Sequence, residues 1–172
     1  MALPPLLPDA RRRRALEVAR LNGRGVIAFC LVGAALALVR REWLEAGLGL
    51  VATSAGLLEL SGRRRALAGA PDAWRRLVGA QVWLLALILG YAAWRWVATT
   101  PEELWRTLPG FLRQHLDTQL YLAGFDPALD RPFLLALLNK AVCGSLALVA
   151  LAYQGGLALY YARRRGDFQT AG

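Results

Sequence analysis

Leu77 to Ala98, LVGAQVWLLALILGYAAWRWVA, decides the fold class of this chain. About 20 of its residues are apolar, which at 1.5 Å per residue matches the roughly 30 Å hydrocarbon core of a bilayer. Trp74, Trp94 and Trp96 stand near its two ends as an aromatic belt, and Arg75-Arg76 precede it. The stretch reads as a membrane-spanning helix over residues 77–98.

Working outward, three more apolar runs appear between arginine clusters. Gly25 to Val39 lies between Arg24 and Arg40, and Ala46 to Leu60 follows the turn Arg40-Arg41-Glu42-Trp43-Leu44-Glu45. Each covers only about 22 Å, so these spans, 25–40 and 44–61, depend on snorkelling arginines. A re-entrant hairpin over the same residues is the competing reading. Arg41 and Glu45 are i,i+4 partners if the helix continues through them. Pro132 to Tyr161 supplies a fourth span, 133–162, longer than the core requires. The expected fold is therefore all-α: one polytopic integral membrane domain over 1–172 with four transmembrane helices.

The connecting segments carry helix punctuation. Met1 to Pro8 is a proline-rich leader, and Asp9 is a candidate N-cap. Residues 61–76 read as a basic cytoplasmic loop with a helix start at Pro71-Asp72. Residues 99–131 read as an outer loop. In it, Thr100-Pro101-Glu102-Glu103 has a cap, a proline at N1 and acids in the first turn, and Pro109-Gly110 then breaks the helix. Phe111 to Leu122 directs Phe111, Leu112, Leu116, Leu120 and Tyr121 to one side, as in an amphipathic helix lying in the membrane interface. A small outer cap packed on the bundle is the alternative. Ala35-Leu36-Ala37 resembles a signal cleavage site, but Arg40-Arg41 follow at once and the first run is expected to be retained.

The net charge of +9 is distributed by topology and not over one folded face, which excludes a nucleic-acid partner. With both termini and residues 61–76 inside, 14 of the 21 basic residues are inside and 7 outside. Acids divide as 5 and 7, so the whole net charge falls on the inner side. The expected orientation is N-in, C-in. Lys140 is the single lysine, and such arginine use beside abundant Ala, Leu and Gly suggests a GC-rich bacterial gene and hence a cytoplasmic (inner) membrane. Cys30 and Cys143 fall roughly 20 Å apart along the membrane normal, beyond the reach of a disulfide.

Five polar residues within or beside the spans are candidate site residues: Lys140, Asn139, Gln154, Glu59 and Gln81. Ionisable groups inside a span are costly and mark function by default. Lys140, with Asn139, lies close enough to the outer surface to snorkel. Glu59 is expected to form a helix-end ion pair with Arg63, its i+4 neighbour. Gln154, before Gly155-Gly156, and Gln81 are expected to hydrogen-bond across helices. Small-xxx-small spacings at Gly33…Ala37, Ala52…Gly56, Ala86…Gly90, Ala141…Ser145 and Ala152…Gly156 permit close helix contact. Arg12 to Leu16 (RRRAL) recurs as Arg63 to Leu67, and at the same offset Arg24 aligns with Arg75 and Trp43 with Trp94. This hints at a duplicated hairpin with its halves in parallel orientation.

Catalytic signatures are missing. His115 is the single histidine, Asp117 points elsewhere on the same helix, and no Gly-x-Ser-x-Gly, His-Glu-x-x-His or phosphate loop occurs. An enzyme built on His115 and the outer acids is the least favoured reading. No cofactor is expected. The leading expectation is a non-enzymatic accessory or scaffold subunit whose partners are the lipid bilayer and either a second copy or another membrane subunit. The alternative is a small oligomeric channel or transporter that uses the polar residues of span 4.

Overall fold

The helix that begins near the Asp9 cap candidate continues past Arg24 without a break. In the computed structural model, which describes residues 8–169 and their side chains over 10–168, helix α1 runs unbroken across Pro8–Val39. The leader Met1–Leu7 and the capping side chain of Asp9 lie outside what is described. Helix α2 spans Trp43–Leu67 and α3 spans Ala73–Ala98. Two short helices follow, α4 (Pro101–Thr107) and α5 (Gly110–Leu122). The last long helix runs as α6 (Pro127–Ala150), a π-helical turn (Leu151–Gly155) and α7 (Gly156–Arg163), before a final turn α8 (Arg165–Gln169). The described chain is all α, and four of its helices are long and apolar enough to cross a membrane: Ala10–Val39, Trp43–Leu67, Ala73–Ala98 and Pro127–Arg163.

The first two spans are thus longer than the apolar runs that announced them. At 1.5 Å per residue, the 32 residues of α1 reach about 48 Å, so no hairpin buried halfway is needed to place them. The expected loop over 61–76 shrinks to residues 68–72. Arg64 and Arg65 sit in the last turn of α2, where cations oppose the negative end of the helix dipole. Gly69, at φ 79, takes the left-handed turn that follows, and Arg65 meets Asp72 at 3.2 Å across it. The Arg41–Glu45 stretch is not continuous helix either. Arg41 adopts φ 63, and the Glu42 N–H bonds back to the Ala37 carbonyl, closing α1.

Contacts divide the chain into two compact units, Met1–Leu87 with Leu151–Gly172, and Ile88–Ala150. In the first unit, α1 and α2 pack antiparallel through small residues. A Cβ on Gly56 would lie 2.7 Å from the Gly23 carbonyl oxygen and 2.7 Å from Ile27 Cγ1, and one on Gly49 would meet Ala34 Cβ at 3.0 Å. Gly33, by contrast, has open space beside it. Gly56 therefore carries the close approach and Gly33 does not.

The two RRRAL segments meet in this unit, but as opposites. Arg12 donates to the Ala66 carbonyl, and Arg63 Nε donates to the Leu16 carbonyl at 3.2 Å. One copy lies at the start of α1 and the other at the end of α2, so the repeat does not mark equivalent places in a duplicated hairpin. Ala15 and Ala66, the same position in each copy, are buried together with Leu16, Ala19, Ala73, Leu77, Tyr161 and Phe168.

In the second unit, Thr100 and Glu103 form the expected capping box, with Pro101 at the first turn of α4. Gly124, at φ +80, closes α5. Asp126 Oδ1 accepts from the Ala128 N–H at 2.8 Å, and Asp130 Oδ2 accepts from the Asp126 N–H at 2.9 Å, which starts α6 five residues before Pro132. Arg131 stacks 4.2 Å over the Trp105 ring while pairing with Asp117 at 2.9 Å. On α5 the apolar side chains separate: Leu120 is buried, whereas Phe111, Tyr121 and Leu122 are exposed.

Candidate functional site: a buried polar centre around Glu59

Glu59 lies two turns inside the end of α2, on its buried face. Its side chain is 1% exposed. It does not pair with Arg63, whose guanidinium instead donates to the Leu16 carbonyl on α1. The i+4 geometry is outcompeted because Glu59 faces two other elements of its unit. Asn22 of α1 donates from Nδ2 to Glu59 Oε2 at 2.6 Å, and Tyr161 of α7 donates from its hydroxyl to Glu59 Oε1 at 2.7 Å. Tyr153 extends the chain by donating to Asn22 Oδ1 at 3.0 Å. Gln81 of α3, 1% exposed, stands within reach of the same carboxyl group.

All four long segments of this unit therefore contribute to one polar cluster. Among the described residues, the hydrogen-bonding partners of Glu59 are neutral. Each carboxyl oxygen receives one short hydrogen bond, from Asn22 or Tyr161, of the four that a carboxylate's lone pairs can accept. Two acceptors have no hydrogen-bond partner among the described residues: Gln81 Oε1 and Gln154 Oε1. Gln154 is 6% exposed and sits in the π-helical turn, two helical turns before Tyr161. Such turns leave main-chain groups out of the regular ladder and recur at functional positions.

The remaining candidates belong to the second unit. Asn139, 8% exposed, donates to the Arg95 carbonyl at 3.2 Å and lies 3.8 Å from Cys143 Sγ. Lys140 is exposed and points away from Asn139's buried side. The structure thus brings Glu59 and Gln81 together and separates Lys140 from its neighbour. His115 is exposed on α5, and among the described residues no three His, Cys, Asp or Glu side chains converge as a metal-ligand set. Both cysteines are free.

The sequence reading missed Asn22, Tyr153 and Tyr161. Asn22 lies between Arg20 and Arg24 and passed as part of a polar flank. The signal available was its spacing: Ala15, Leu16, Ala19 and Gly23 mark the inward face of α1, and Asn22 lies beside that stripe. In comparison with known proteins, no family model, curated protein or solved structure matches this chain.

Proposed function

We propose that this chain is a non-enzymatic integral membrane protein, an accessory or scaffold subunit of a bacterial cytoplasmic membrane. The observation that carries the reading is the use of its inward polar groups. Glu59, Asn22, Tyr153 and Tyr161 bond one another between helices, and Asn139 bonds a main-chain carbonyl. Such bonds fix which helix faces meet, and interhelical hydrogen bonds in membranes contribute about 0.6 kcal/mol on average. Both ends lie on the cytoplasmic side, with 99–131 opposite. This orientation is supported by Arg12, Arg63 and Arg164, from three segments, gathering at one end of the first unit, where Arg164 donates to the Arg11 carbonyl at 2.9 Å.

A second reading, a small oligomeric channel or transporter, is favoured by one observation: the buried acceptors Gln81 Oε1 and Gln154 Oε1 have no donor among the described residues. Reconstitution in proteoliposomes separates the two. A scaffold leaks protons, Na⁺ and K⁺ no faster than protein-free vesicles, and cross-linking in native membranes gives a defined complex with a second copy or another membrane protein. Ion flux above the protein-free rate that is lost in Gln154→Leu overturns the scaffold reading in favour of the channel.

A further inference from the structure

Beside the polar centre, the surface of the same unit carries an open groove of about 560 Å³. It is lined by Ala152 and Gly156, one helical turn apart, and by Val18, Tyr153 and Leu157. Arg14 and Arg164 stand at one end, with Tyr160 next to them. From Arg164 back to Ala152 is about 18 Å of helix, so the trough runs from a doubly cationic mouth into apolar surface. We infer that this groove binds one anionic phospholipid, its phosphate between Arg14 and Arg164 and an acyl chain over Gly156 and Ala152.

Three features argue for that occupant. First, the two small residues, Ala152 and Gly156, leave open surface where larger side chains would close it. A Cβ on Gly156 meets nothing within 4 Å, so the space beside it is open. Second, Arg164 is held ready by two contacts, its hydrogen bond to the Arg11 carbonyl and a 4.3 Å stack over Tyr160. A guanidinium fixed by one edge keeps its other donors for phosphate, which it recognises through paired N–H groups. Third, charge selects against the competing occupants. A second copy packed about a two-fold axis through this face would bring two pairs of arginines together, and like charges there repel. A zwitterionic lipid adds a cation where two already stand. Free phosphate gains the arginines but leaves the trough unfilled. Basic pockets between transmembrane helices bind anionic headgroups on the same principle.

The test uses the full chain, delipidated in a neutral detergent and titrated with phosphatidylglycerol, phosphatidylcholine or inorganic phosphate. Bound lipid is counted by native mass spectrometry, and the thermal midpoint is followed in parallel. Phosphatidylglycerol is expected to bind one per chain and raise the midpoint, with phosphatidylcholine and free phosphate doing neither. Arg14→Ala, an exposed position, should weaken phosphatidylglycerol binding several-fold, and Arg14→Ala with Arg164→Ala at least tenfold. Gly156→Leu keeps both arginines and fills the trough, so it should lose the bound lipid while the lipid-free midpoint stays near that of the parent chain. Equal binding of both lipids, unchanged binding in Arg14→Ala, or full competition by free phosphate each overturns the proposal. A Gly156→Leu chain that changes oligomeric state and keeps its lipid assigns the groove to a second copy instead.

Discussion

The Tyr161 hydroxyl donates to Glu59 Oε1 at 2.7 Å, joining residues 102 positions apart in the interior of a membrane bundle. Tyr161 is fully buried and its ring belongs to the apolar cluster around Ala15, Ala66 and Leu77. The same side chain therefore seals the core and supplies a donor to the one acid that is buried among the described residues. Tyr161→Phe removes the donor alone and should lower stability by about 0.6 to 1.7 kcal/mol, the range found for interhelical hydrogen bonds in membranes. Tyr161→Ala also opens a cavity and should cost about 3–5 kcal/mol. Glu59→Gln keeps an acceptor and brings a donor for Gln81 Oε1, which has none among the described residues, so its stability should stay near that of the parent. Glu59→Leu leaves Asn22 and Tyr161 without their acceptor and should fall well below it. Unfolding midpoints in detergent rank the four variants, and a Glu59→Leu chain as stable as Glu59→Gln would sink the account of the polar centre.

Glycine in an exposed helix interior is ordinarily worse than alanine by about 1 kcal/mol. At Gly56 the sign should invert, because an added Cβ would sit 2.7 Å from both the Gly23 carbonyl oxygen and Ile27. Backbone oxygen cannot rotate aside, so α1 and α2 would have to separate. Gly56→Ala is expected to destabilise by about 1–3 kcal/mol, the cost of overpacking. Gly33→Ala, on open surface, should be neutral or slightly stabilising. Thermal unfolding of the pair in one detergent decides it, and equal effects would mean that the α1–α2 contact is looser than the geometry indicates.

These two sites also show what was legible in the residues. The third and fourth spans follow from run length, since no other structure satisfies twenty apolar residues with their main-chain groups in lipid. The first two spans read short because Arg24 and Arg63 to Arg65 look like boundaries, whereas arginine is a good helix former and its long stem lets a helix continue. Glu59 and Gln81 stood out as polar residues in apolar runs. Their partners did not, because sequence proximity offered Arg63 one turn away while the packing of three helices delivered Asn22 and Tyr161. Small-residue spacing identified Gly56 and Gly33 alike, since the motif says that close approach is allowed and not which face is turned inward.

Arg131 serves Trp105 and Asp117 at once, stacking 4.2 Å above the ring and pairing with the carboxylate at 2.9 Å. Both charged side chains are about one-third exposed, so the ion pair alone contributes up to about 1 kcal/mol. The planar stack is what lysine cannot reproduce. Arg131→Lys should therefore loosen α4 and α5 nearly as much as Trp105→Leu, with amide exchange over 101–122 rising about fivefold for each kcal/mol lost. Unchanged exchange in Arg131→Lys would reduce the contact to charge pairing.

The orientation of the chain can be read from chemical access. Arg41 stands at the turn between α1 and α2, and Arg64 lies in the last turn of α2, so a span separates them. The proposed orientation puts Arg41 on the outer side with 99–131 and Arg64 on the cytoplasmic side, among the fourteen basic residues assigned there. In a Cys30→Ala, Cys143→Ala background, a membrane-impermeant maleimide added to intact spheroplasts should label Arg41→Cys and His115→Cys. It should reach Arg64→Cys only after permeabilisation. The reversed pattern would invert the topology. Labelling of both Arg41→Cys and Arg64→Cys from the same side would mean that α2 does not cross. Each substitution is at a site outside the buried polar centre, and loss of labelling can be checked against the permeabilised sample. The result therefore tests whether arginine placement, which carries the whole net charge of +9, orients the chain.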